Sequence, residues 1–326
     1  MAESAATESS EYMRAIGDAV WRERALRGTL TLRGGDAAEF LQGQLTNDVE
    51  ALKPGTGCYA LLLNPKGKVR ADMRVLCPAQ DELVIESSRP ALDVVAQMIA
   101  SHAVGFRFEL ADDRERSALI SLIGPHADRL LASLGDTAPV PAHREHDNVR
   151  STPAGVAALA VRTDLGVDLV VVGDADGLGD LRAALAAEAG DPAGADTVET
   201  LRVESGRPLL GREIDGDTIP QEAGLNERAV SFEKGCYVGQ ETVARLFYKG
   251  KPNRHLRGLR LNAPASSGAA VRLGGREVGR IGTFADSPRH GPIALAVLRR
   301  EAKPGTKVTV GQAVDALVVK VPFVGD

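Results

Sequence analysis

Chemistry in this 326-residue sequence concentrates at a few positions, and Cys236 is the first of them. It sits in Lys234-Gly-Cys-Tyr-Val-Gly-Gln-Glu241. A thiolate is a nucleophile and a metal ligand, and nearby cations such as Lys234 and Arg245 favour that form. Gly235 and Gly239 permit tight turns and let a ligand approach the backbone closely. Spacing alone leaves a working thiol and a buried structural one evenly matched. Cys58 and Cys77, flanked by apolar strand-like sequence, read as structural.

A second group lies along Lys68 to Leu76, where Lys68, Arg70, Asp72 and Arg74 alternate with Val69, Ala71, Met73 and Val75. Facing solvent, these charges form an ordinary outer surface. Facing a cavity, three cations around one carboxylate suit an anionic ligand with a basic nitrogen, Arg binding carboxylates bidentately and Asp72 held ionised. Both readings stay open. A third candidate is Glu204, in the last turn of a helix ending near Gly206-Arg-Pro208. A carboxylate there meets the unfavourable end of the helix dipole, which suits either an exposed helix end or an acceptor for a ligand's amidine-like edge. The histidines are scattered, with His143 and His146 in an expected surface connection over 136–153, so no metal site is expected. No P-loop or dinucleotide fingerprint is present.

Composition narrows the class. Hydrophobic residues make up 44%, charged residues 25%, and the net charge is -5, which argues against a broad nucleic-acid surface. Three cysteines without C-x-x-C spacing fit a reducing compartment. The polar start MAESAATESSEYM reads as a disordered leader over 1–15 rather than a signal peptide. No apolar stretch approaches the roughly 18 residues of a membrane span. A cytoplasmic protein is expected.

The positioning elements follow from periodicity and punctuation. Strands are predicted over 29–32, 57–63, 68–76, 83–86 and 104–110, with helices from Asp36 (Glu39 completing a capping box) and from Pro90. A second round follows: strand 118–123, helix 125–134, strand 167–172 and helix 178–189 closed by Gly190. Asp196-x-x-Glu199 opens a further helix, and residues 207–252 form a long functional loop. Short strands with Gly/Pro turns after Pro252 read as a small antiparallel barrel. The expected order is an α+β module over 16–115, a second over 116–252 carrying the KGCYVGQE loop, and the barrel over 253–326.

The octapeptide resembles the K-G-C-Y-x-G-Q-E signature of the YgfZ family, relatives of the glycine-cleavage T-protein (aminomethyltransferase). Phe40-Leu-Gln-Gly-Gln-Leu-Thr-Asn-Asp48, Leu201-Arg-x-Glu204-x-Gly206 and Pro220-Gln-Glu-Ala-Gly-Leu225 are similar to further family segments, and the likeness spans about 28 to 320. It implies a ring of two α+β modules and a barrel, with tetrahydrofolate in the central hole. Glu204 would contact the pterin and Asp72 would lie near the reactive nitrogens. Arg70, Lys234, Tyr237, Gln240 and Arg245 would complete the cofactor site. Cys236 would be the critical residue in supporting iron–sulfur client or assembly proteins. The T-protein's hairpin usually reads N-x-x-G-G-x-x-D-D. Here Lys68 replaces the second Gly and Ala71 the first Asp, so aminomethyl transfer to tetrahydrofolate is the second expectation.

Overall fold

The computed structural model describes residues 2–135, 140, 144–172 and 177–323, and the side chains from residue 10 onward. The chain forms two compact units. The first comprises Met1–Leu63, Arg70–Gly194 and Arg228–Val238, and the second Asn64–Val69, Ala195–Glu227 and Gly239–Asp326. These units do not follow the expected boundaries. Residues 195–227 group with the barrel, not with the second α+β module.

The first unit runs α1 (Ala2–Gly17), β1 (Val20–Glu23), β2 (Arg27–Arg33), α2 (Ala37–Gln44), β3 (Thr56–Leu63), β4 (Val69–Ala79), β5 (Glu82–Ser88), α3 (Arg89–His102) and β6 (Glu109–Asp112). It continues with β7 (Ala118–Ile123), α4 (Ala127–Ser133), β8 (Asn148–Ser151), β9 (Ala158–Thr163), β10 (Gly166–Val171) and α5 (Leu178–Ala189). The strands make two five-stranded sheets, ordered β3-β4-β5-β2-β6 and β1-β7-β10-β9-β8. Strand β1 lies inside the stretch expected as the first module yet pairs antiparallel with β7, so it completes the other sheet. Leu169 and Val171 pack with Leu181 and Leu185 on the helical side of that sheet. Val84, Leu119, Leu159 and Val170 fill part of the space between the sheets.

Several expectations are corrected here. The disordered leader is a helix, α1, whose Tyr12 and Ala15 are buried. Its polar residues have partners: Arg14 donates to Ala189 O at 2.9 Å and Glu11 accepts from Gly194 N–H at 2.8 Å. The capping box at Asp36 does not form, because that carboxylate accepts instead from Arg107 N–H at 2.8 Å. Residues 104–108 are not a strand. Gly105 turns the chain at φ 96°, and the Phe106 and Phe108 rings pack on Phe40, each at 5.2 Å. Of the connection expected over 136–153, residues 136–139 and 141–143, His143 among them, lie outside the described residues; the rest includes β8.

The β4 charges are not an outer face. Arg70 is exposed, but Asp72 and Arg74 are buried. Glu86 on β5 accepts from Arg27 at 2.5 and 2.8 Å and from Arg74 Nε at 2.7 Å, and Arg74 Nη1 reaches Asp168 Oδ2 of the other sheet at 2.7 Å. Burial alone would raise the Glu86 carboxyl, yet Arg27 and Arg74 hold it down at about 2.

The second unit contains α6 (Ala195–Glu204), then α7 (Asn226–Ala229), shared with the first unit, and α8 (Gln240–Lys249). Strands β11 (Arg254–Leu261), β12 (Ala270–Leu273), β13 (Arg276–Ser287), β14 (Gly291–Arg299), β15 (Lys307–Val310) and β16 (Val314–Val319) close into a barrel ordered β11-β14-β13-β12-β15-β16. Its interior holds Leu259, Val271, Ile281, Leu298 and Val318. Helix α6 lays Val203 against Leu256, Ile293, Leu295 and Phe323. That apolar contact explains why residues from 195 follow the barrel. No described helix is long and apolar enough to cross a membrane.

Removing one partner of a buried ion pair strands the others, at a cost of about 3–5 kcal/mol. Glu86→Gln is therefore expected to lower the free energy of unfolding at pH 7 by that order. Because the folded carboxyl is depressed, its contribution is present above the ordinary carboxylate range and is lost as pH falls toward about 2. The variant should lack that part of the acid-induced loss; unfolding curves that coincide with wild type from pH 7 to 2 would contradict this assignment.

Candidate functional site

The KGCYVGQE segment is seated by its neighbours on either side of the cysteine. Lys234 is buried, and its ammonium donates to Gln42 O at 2.5 Å and Leu45 O at 2.7 Å, at the C-terminal end of α2. Carbonyls there lack helical partners and carry the negative end of the helix dipole, so a cation is the group they favour. The same ammonium lies 5.1 Å from the centroid of the Tyr237 ring, itself buried. Burial pushes the Lys234 ammonium down to about 8 despite Asp48, and pushes the Tyr237 hydroxyl up to about 12. Between these two anchors Cys236 is exposed.

The cation expected beside Cys236 is directed elsewhere. Lys234 acts electrostatically on Asp48 and Cys58, and burial raises the Cys58 thiol to about 12 even against that ammonium. Arg245 is exposed on α8 and belongs to the second unit. Of the two glycines, only Gly239 has the expected role. It stands at φ 84°, and a Cβ there would lie 2.5 Å from Asn64 O. A Cβ on Gly235 meets nothing within 4 Å.

The segment Phe40–Asp48 supplies the seat. Thr46 N–H bonds Leu61 O at 3.1 Å, and Thr46 Oγ1 donates to Ala229 O at 2.6 Å while accepting from Leu61 N–H at 2.9 Å. Thr46 O takes Ser231 N–H at 3.0 Å. Asn47 Nδ2 donates to Tyr59 O at 2.9 Å and Arg228 O at 3.3 Å. Residues 228–234 are thus fastened to a preformed loop by backbone-directed bonds.

In the same unit the Tyr59 hydroxyl donates to Asp72 Oδ2 at 2.7 Å, and Ser87 donates to Asp72 O at 2.5 Å. Arg228 lies 5.4 Å above the Tyr59 ring and pairs with Glu145 at 2.8 Å. His146, expected on the surface, is buried and stacks on Tyr59 with centroids 6.4 Å apart. Sequence reading missed Tyr59, Arg228 and His146. A tyrosine on the strand facing Asp72 across the predicted hairpin was the available signal for the first; the others come from distant segments.

In the second unit Glu204 ends α6, and its side chain is buried. Its Oε1 accepts from Ser287 Oγ at 2.5 Å, while its carbonyl takes Phe323 N–H at 2.8 Å. Ser287 is held in turn by Arg289 and His290 N–H groups, at 3.1 and 2.9 Å. Gln240, half-buried, opens α8 directly after Gly239. The hairpin tip Asn64–Val69 also belongs here. Gly67 has φ 75° and a Cβ on it would meet Thr242 Cβ at 3.0 Å, and Lys68 Nζ donates to Asp217 O. The eight expected site residues therefore divide between the units: Cys236, Asp72, Arg70, Lys234 and Tyr237 in the first, Glu204, Gln240 and Arg245 in the second.

Comparison with known proteins agrees with this architecture. Residues 19–234 match the GCVT N-terminal domain, and residues 254–325 the glycine cleavage T-protein C-terminal barrel domain. An aminomethyltransferase of Streptomyces coelicolor is 33% identical over 293 residues, covering 86% of this chain and 78% of its own. One from Thermotoga petrophila is 31% identical over 309 residues, covering 91% and 84%. A putative chloroplastic transferase of Arabidopsis thaliana is 28% identical over 302 residues, covering 91% and 69%. The crystal structure of glycine cleavage system aminomethyltransferase T from Bartonella henselae superposes with a TM-score of 0.85 at 23% identity, over 97% of this chain and 89% of that one. The chain belongs to the glycine-cleavage T-protein family.

Proposed function

We propose that this protein binds tetrahydrofolate and supports iron–sulfur client or assembly proteins through Cys236, as a YgfZ-type member of its family. The observation that carries this reading is the placing of the thiol. Cys236 is exposed, yet both of its anchoring neighbours, Lys234 and Tyr237, are buried. A structural cysteine has no need of such a mount, and the surrounding octapeptide resembles the YgfZ signature.

The residues present fit the folate. A pterin offers adjacent N–H donors on its aminopyrimidine edge, and a buried carboxylate accepts such a pair. Glu204 is such a carboxylate, oriented by Ser287 at 2.5 Å. Tetrahydrofolate supplies nitrogens that carry one-carbon units. The chain's own contribution to proton movement is Asp72, held by the Tyr59 hydroxyl at 2.7 Å.

In a deletion strain lacking this protein, Cys236→Ala is expected to abolish rescue of iron–sulfur enzyme activity, with its melting temperature within about 2 °C of wild type, since an exposed side chain contributes little to stability. Rescue equal to wild type would remove the reading.

The names of the relatives favour a second reading, aminomethyl transfer to tetrahydrofolate. Against it stand Lys68, engaged with Asp217, and Ala71, fully buried, at two positions of the T-protein hairpin pattern. In a reconstituted glycine-cleavage assay this reading predicts methylenetetrahydrofolate formation that Asp72→Asn reduces about 100-fold or more, the usual scale for a general acid or base. The leading reading predicts no product from either protein.

A further inference from the structure

The two sheets of the first unit do not close on each other everywhere. Cross-strand register places Thr31 opposite Val84 and Arg33 opposite Glu82 in one sheet. In the other, Leu159 lies between Arg150 and Val170. The apolar members of these rows pack together between the sheets. Beyond them a cavity of about 410 Å³ remains, lined by residues of both sheets. Sheet interiors are normally packed as densely as crystals, and small-molecule pockets begin at roughly 300 Å³. The space is of ligand size.

Its lining has two chemical characters. Pro78, Ala157 and Val172 give it an accessible apolar wall, behind which Val84, Leu159 and Val170 are buried in the core. At the rim, Glu82 Oε1 accepts from Arg33 Nη2 at 3.0 Å and Oε2 from Arg150. The shared carboxylate is 11% exposed while the guanidiniums are 52% and 63% exposed, so the rim carries a net positive charge. Each guanidinium has five N–H donors in a planar fork, and Glu82 occupies only some of them. Thr31 and Ser151 also line the space, and their hydroxyl oxygens are buried without a hydrogen-bond partner in the protein. Both oxygens lie behind the accessible lining rather than on it.

We propose that this intersheet cavity binds a small amphipathic monocarboxylate, its apolar body on Pro78, Ala157 and Val172 and its carboxylate on Arg33 and Arg150. A purely apolar ligand would leave the rim donors unmatched, and an organic cation would be repelled by them. None of these residues belongs to the Cys236 segment or to the Glu204 carboxylate, so the proposal stands independently of the folate reading.

The probe is octanoate, titrated calorimetrically into the full chain, with octan-1-ol as the uncharged control of similar length. Octanoate should saturate a single site. Octan-1-ol and the Arg150→Ala variant should each bind weaker by about tenfold or more, about 1.4 kcal/mol. Val172→Phe, which fills the cavity, should remove binding, and thermal melts of both variants check that they fold. No saturable heat with octanoate overturns the proposal. So does equal binding of octan-1-ol, or wild-type affinity in folded Arg150→Ala. Should Val172→Phe fail to fold, the Arg150→Ala titration decides alone.

Discussion

Glu86 is the group on which the first unit is organised. A carboxylate taken fully out of water is costly unless every lone pair is matched and an opposing charge lies close. Arg27 and Arg74 supply both, and Arg74 extends the network to Asp168 in the other sheet. The charges therefore tie together β2, β4, β5 and β10, beside the apolar contact of Leu76, Val84 and Val170 between the same two sheets. The consequence for function is positional. Asp72 lies two residues before Arg74 on β4, and its carbonyl is held by Ser87, the residue after Glu86. The strands that the network links also carry Asp72, whose carboxylate itself accepts from the Tyr59 hydroxyl. The network is a device of specificity as much as of stability, since a hydrophobic replacement of similar shape is often no less stable.

The thiol is positioned by a different principle. Lys234 carries its charge into the protein and places it on carbonyls at the end of α2, where a cation is the natural partner. Its depressed ammonium, at about 8, shows that burial outweighs the electrostatic help of Asp48. Such an anchor holds a short segment rigidly while leaving the intervening Cys236 in contact with solvent. Gly239 then turns the chain where a side chain would strike the Asn64 carbonyl. The glycine is thus required by backbone approach, not by a ligand.

Much of this was legible in the sequence. Strand 118–123 and helix 178–189, ended by a left-handed Gly190, follow directly from apolar periodicity and a terminal glycine. The barrel followed from short strands punctuated by Gly and Pro. What failed has a common cause in long-range pairing. Alternation along β4 correctly placed Val69, Ala71, Met73 and Val75 on one buried face, but nothing local announces that Arg74 faces a second sheet rather than water. Likewise β1, only four residues long, carries no periodicity that marks it as a strand until β7 is present to pair with it. At the site, the octapeptide marked Cys236, Lys234 and Tyr237 together. Its chemistry suggested that Lys234 would activate the cysteine, whereas the ammonium is committed to the α2 carbonyls. Tyr59 and Arg228, brought to Asp72 and to each other from separate segments, carried no signature of their own.

On the proposed function, a folate-binding carboxylate and a mounted, exposed thiol coexist in one chain and do separate work. Anaerobic calorimetry with tetrahydrofolate on wild type, Glu204→Ala and Cys236→Ala tests it most directly. Wild type and Cys236→Ala are expected to bind alike, and Glu204→Ala to bind weaker by about tenfold or more, at least about 1.4 kcal/mol. Absence of binding by the wild type, or affinity unchanged by Glu204→Ala, would contradict it.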